Sequence, residues 1–116
     1  DLDLRPLTPD ELVSAPGQGA LLAECRENRH DLIEALKPYH SELTARCVRM
    51  ERAVLAGIGG GCQQPLGALA EVQPDGRIRL RAAYAGEDGI LRGDVTGHED
   101  AVLVDTVLRD LGVPCA

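Results

Sequence analysis

Between residues 42 and 58 the apolar positions recur at steps of three and four. Leu43, Cys47, Met50, Val54 and Ile58 form a single stripe, the spacing of a helix that buries one face. Ser41 stands where an N-cap is needed, and a run of three glycines from residue 59 ends the element. Past Pro65 the period changes to alternation. Residues 66–72 read as a strand, and Asp75-Gly76 centres a turn. Ile78, Leu80, Ala82 and Tyr84 then alternate with Arg77, Arg79 and Arg81, so the second strand buries one face and shows three arginines on the other. A further turn at Glu87, Asp88 and Gly89 leads to a third strand over 90–96. The last helix, 99–111, places Ala101, Val104, Leu108 and Leu111 on one face and ends at Gly112, with Pro114 behind it. The expected fold is α+β: a three-stranded antiparallel meander covered on one face by helices, from residue 39 to the C-terminus.

Residues 1–38 read differently. Thr8 and Glu11 bracket Pro9 and Asp10 as a capping box, so a short helical turn starts there and stops before Pro16. A loop, SAPGQG, follows at 14–19. The run ALLAECR at 20–26 has the length and apolarity of a strand covered on both faces, yet nothing in the chain supplies its partner. Asp31 to Lys37 reads as a helix stopped by Pro38.

Composition narrows the function classes. The net charge is -7, and Phe and Trp are absent, which argues against a phosphate-backbone binder and against base-stacking platforms. No apolar run is long enough to span a bilayer and the N-terminus lacks a leader pattern. The chain therefore reads as soluble, unexported and cytoplasmic, with no membrane partner. Cys25, Cys47, Cys62 and Cys115 are widely spaced, and His30, His40 and His98 show no ligand pattern. They predict thiols rather than a metal site or a disulfide framework. Lys37 is the only lysine; the remaining cations are arginines, whose forked guanidinium suits small carboxylic acids.

The stretch GGGCQQPLG, residues 59–67, is where chemistry concentrates. Glycines are used where backbone turns through positive φ or approaches something closely. They leave the sulfur of Cys62 with little bulk around it. Taken alone, the stretch fits either a reachable thiol or a helix cap with a buried cysteine behind it.

Three motifs in order resemble one family. PGQGALLAECR at 16–26, the pattern from Thr44 to Glu51-Arg52, and GGGCQQPLG at 59–67 are similar to the C-terminal part of porphobilinogen deaminase, also called hydroxymethylbilane synthase. The resemblance implies a transferase of tetrapyrrole (haem precursor) biosynthesis that joins four porphobilinogen units head to tail with loss of ammonia. It implies that Cys62 carries a dipyrromethane cofactor through a thioether. Arg26 and Arg52 match arginines suited to the carboxylates of cofactor or substrate. Gln18 and Gly19 match the GQG crossover segment, and Gly61 precedes the attachment cysteine. A thiol beyond a helix C-terminus is not favoured as thiolate, so Cys62 suits a one-time attachment point better than a turnover nucleophile.

The same resemblance implies two further domains before this region, which supply the aspartate that acts in proton transfer. No catalytic residue is then expected in these 116 residues, and the chain should be inactive alone. Residues 1–38 become a crossover left from those domains, and residues 39–116 the cofactor-attachment domain. Gln64 stands where a small aliphatic residue is usual, Met50 replaces a usual alanine, and Glu27, Asn28, Arg29 break up the acid pair that commonly follows ECR. A second expectation, from a different class, is a non-catalytic binding module that forms a homodimer by exchanging the unpaired 20–26 strand.

Overall fold

The computed structural model describes residues 2–61 and 63–113; Cys62, Pro114 and Cys115 lie outside them. A seven-residue helix, α1 (His30–Leu36), runs into a 3-10 turn at Lys37–Tyr39 that accommodates Pro38. Helix α2 (Glu42–Gly57) follows, capped by the Ser41 hydroxyl, which accepts from the Thr44 amide. Strands β1 (Leu66–Val72), β2 (Ile78–Gly86) and β3 (Gly89–Gly97) then form a meander, and α3 (Asp100–Asp110) closes the chain. Both ladders are antiparallel, with Ala70 opposite Leu80 and Leu80 opposite Val95. Gly76 takes the left-handed conformation that the Asp75-Gly76 turn requires. The α+β architecture is the one the periodicity predicts.

One face of the sheet makes the core. Met50 and Val54 of α2 meet Ala68 and Ala70 of β1, Ile78 and Leu80 of β2, and Leu103 and Val107 of α3. Glycine in β3 lets α3 approach closely: a Cβ at Gly93 would stand 3.3 Å from the Val107 side chain, and one at Gly97 would stand 3.1 Å from Leu103. The α3 stripe is rotated from the expected one. Ala101 is exposed, while Leu103 and Val107 are buried beside Val104 and Leu111. Leu43 is also exposed at 58%, as is Val72 at the end of β1, and both line one open cavity.

Two expectations about the sheet are corrected. Arg77 and Arg79 reach solvent, but Arg81 is buried, paired to Asp10 at 2.9 Å and to Glu71. The reason is a strap that no periodicity announces. Residues 8–17 cross the outer face of the sheet and turn round the free edge of β1. Thr8 and Glu11 hold a single helical turn at its start, in which the Thr8 amide and hydroxyl both donate to the Glu11 carboxylate. Asp10 then reaches Arg81, Val13 lies over Gly67, and the Ser14 carbonyl accepts from the Ala68 amide at 2.8 Å. A Cβ on Gly67 would fall 2.4 Å from the Val13 carbonyl oxygen, so glycine makes room for the strap. Residues 20–26 form no strand: they enter no ladder, and Leu21 and Leu22 are exposed at 102% and 81%.

Candidate functional site

Helix α2 ends in a Schellman motif, and its three glycines do three different things. Gly59, at φ 80°, donates to the Ala56 carbonyl, and Gly60 donates to the Leu55 carbonyl. A side chain at Gly60 would meet both the Leu55 carbonyl oxygen and a Leu55 methyl at 2.8 Å. Gly61 is under neither constraint: nothing stands within 4 Å of where its Cβ would be. The backbone before Cys62 is therefore fixed by the first two glycines and open at the third. Beyond the loop, Gln64 donates its amide to the Gly61 carbonyl, and its side chain accepts from the Tyr84 hydroxyl at 3.4 Å.

Gln18 and Gly19 sit beside the first ten residues of α2. The turn from Ala15 to Gln18 is closed twice, by the Gln18 amide on the Ala15 carbonyl and by the Ala15 amide on the Gln18 side-chain oxygen. Gly17 and Gly19 both take positive φ, 73° and 83°, which only glycine adopts cheaply. The Gly17 amide donates to Glu51 Oε2 at 2.7 Å, and Glu51 Oε1 accepts from the Ala70 amide at 2.9 Å. Between this segment, α2 and the end of β1 lies an open cavity of about 320 Å³, lined in part by Gln18, Gly19, Leu43, Thr44, Cys47 and Glu51. Arg26, Arg52 and Gly61 do not line it. Gly57, where α2 ends, lies about 9 Å along the helix axis from Glu51, so the segment and the glycine loop are separate parts of the surface.

Most of the described cations are paired. Arg29 pairs with Asp31, Arg46 with Asp100, Arg49 with Glu42, Arg77 with Asp75, and Arg79 with Asp94. Arg26, Arg52, Arg92 and Arg109 make no ion pair among the described residues, and Arg26 and Arg52 are exposed. Arg52 thus is not spent on a helix-surface pair, and Glu51, which could have been its neighbour in such a pair, is turned inward. Of the thiols, Cys47 is half-buried and packed against the core; burial pushes its pKa up, so it is protonated at neutral pH. No group of three metal-ligating side chains exists among the described residues.

The family described as "Porphobilinogen deaminase, C-terminal domain" matches residues 45–116. The chain belongs to that family. Relatives named porphobilinogen deaminase agree with it: one from Nitrosomonas europaea is 47% identical over 83 residues, covering 72% of this chain and 27% of its own length. One from Thermus thermophilus is 44% identical over 104 residues, covering 83% of this chain and 34% of the relative. One from Staphylococcus carnosus is 34% identical over 117 residues, covering 97% and 38%. The chain spans roughly a third of the length of these porphobilinogen deaminases.

The porphobilinogen deaminase match includes most of α2 and the glycine loop, the elements that organise the site. Five of the sequence-predicted site residues are exposed, Gln18, Gly19, Arg26, Arg52 and Gly61, and of these Gln18 and Gly19 line the cavity. Cys62 itself falls outside the described residues. Sequence reasoning missed Glu51 as an anchor. Its only signal is a carboxylate one residue from the stripe position Met50, on the flank that faces β1.

Proposed function

We propose that this chain is the cofactor-attachment part of a hydroxymethylbilane synthase, with Cys62 as the thioether site for dipyrromethane. The observation that carries the reading is the loop after α2, where Gly59 and Gly60 are locked while the space beside Gly61 is open. That is the surroundings a covalently held ligand needs. The residues fit the group in a second respect. Pyrrole acetates and propionates call for guanidinium partners, and Arg26 and Arg52 have no carboxylate of their own among the described residues. In this reading Arg26 and Arg52 hold carboxylates, Gln18 and Gly19 let backbone approach the ligand, and Gly61 leaves room at the thiol. When bound, dipyrromethane would supply the pyrrole end to which porphobilinogen units are joined.

The activity belongs to a larger assembly. The chain spans only about a third of the length of its relatives. We assign proton transfer to the preceding domains of the same enzyme, residues 1–38 to the crossover from them, and the working compartment to the cytoplasm. The chain alone should form no hydroxymethylbilane from porphobilinogen. Mixed with the preceding domains it should regain activity, and Cys62→Ser should abolish that activity. Product from a clean preparation of the chain alone, or full activity with Cys62→Ser, would defeat the assignment.

Leu21 and Leu22 favour a second reading as well, since their exposure calls for a cover. A second copy of this chain, exchanging residues 20–26, would provide one in a non-catalytic dimer.

A further inference from the structure

We infer that Glu51 is a positioning residue: it latches the Gly17–Gly19 segment to α2, and through α2 to the loop that follows Gly57. Its carboxylate is buried, with 5% exposure, and each oxygen is taken by a backbone amide, Ala70 at 2.9 Å and Gly17 at 2.7 Å. No cation pairs with it among the described residues. A charge taken out of water in this way is tolerated only when its hydrogen bonds are complete, so both amides are needed by the carboxylate as much as it is by them.

The position is specific. β1 has β2 on one side only, and its other edge presents amides at alternate residues. The Ser14 carbonyl takes the amide of Ala68, and Glu51 takes the next one, at Ala70. One side chain thus continues the strap's work along the edge while its second oxygen fixes Gly17, next to Gln18. The side chain of Gln18 is held by its own turn, so fixing Gly17 fixes the Gln18 and Gly19 backbone. Both amides are donors, so the device requires two acceptor oxygens. Glutamine has the same shape but offers one acceptor and one NH2 group; Glu51→Gln therefore cannot satisfy both. That this segment touches cofactor rests on the function proposed above; the latch itself does not.

The test is amide hydrogen exchange on the 116-residue chain, wild type and Glu51→Gln, followed by NMR. In the wild type the Gly17 amide should be protected although it lies in a turn. In Glu51→Gln it should exchange about tenfold faster or more, the scale of a lost hydrogen bond to a charged acceptor, while Leu80 and Ala82 at the centre of the sheet keep their protection. An unprotected Gly17 in the wild type overturns the inference without any variant. So does a Glu51→Gln chain in which exchange rises uniformly across the sheet, since that describes a residue important only for global stability. Produced together with the preceding domains, the Glu51→Gln chain should also carry less dipyrromethane adduct than wild type. A wild-type chain that carries none would count against the cofactor reading, and the exchange rates would still decide the role of Glu51.

Discussion

Asp100 stands in the first turn of α3, where a negative charge suits the helix dipole, and Arg46 of α2 grips it from the side. The Arg46 Nε lies 3.0 Å from both carboxylate oxygens, its Nη2 lies 2.6 Å from one of them, and the same Nη2 donates to the His98 carbonyl. The pair joins the two helices that cover the sheet. Arg46 holds the Asp100 carboxyl below its ordinary range. A depressed folded-state pKa contributes stability that is complete above the unfolded value and is lost as pH falls through the folded one. Asp100→Asn should therefore lower the thermal midpoint at pH 7, and the gap to wild type should begin to narrow below about pH 4 and close as pH falls through the lowered folded-state value. A gap of the same size at pH 7 and pH 3 would show that the ion pair is not its cause. Arg81 and Glu51 make the complementary point at this scale. Alternation puts Arg81 on the outer face, as expected, but that face is covered by Asp10 and the strap, so the side chain is buried after all. Glu51 looks like any acid on a helix flank until the strand edge beside it is seen.

At the scale of elements, the parts legible in the sequence are those with a repeating signal. The α2 stripe, the alternation of β2 and the Asp75-Gly76 turn each state their structure several times over, and α2, the meander and α3 follow. The glycine loop was legible as a helix end for the same reason, because each step of a Schellman motif demands what glycine provides. The strap was not legible. Its contacts are a carbonyl on the Ala68 amide, a backbone pass over Gly67 and single ion pairs, none of which imposes a period. Residues 20–26 show the opposite error. Their apolarity reads as a strand, but a strand exists only when paired, and here it has no neighbour. The two proposed readings cover this segment differently, the enzyme reading with preceding domains and the module reading with another copy. Sedimentation separates the two: the enzyme reading expects no defined dimer that depends on Leu21 and Leu22, whereas the module reading expects one that Leu21→Lys dissociates.

At the scale of the whole molecule, this member of the porphobilinogen deaminase C-terminal domain family is folded around one small core, and its distinctive surface lies along α2 and at its C-terminal end. The middle of α2 faces the Gln18 and Gly19 segment through Glu51, and its C-terminal end runs into the glycine loop. Arg26 and Arg52 add the positive charge that an acidic ligand would meet. Neither arginine has an ion-pair partner among the described residues, and the proposed role gives them one in an acidic ligand. The direct test is the intact mass of the purified chain, followed by peptide mapping of any adduct. After production alongside the preceding domains, the account expects a mass increase of one dipyrromethane, located on Cys62 and absent from Cys62→Ser. An unmodified Cys62 in a preparation that makes hydroxymethylbilane, or the adduct on another residue, would contradict it.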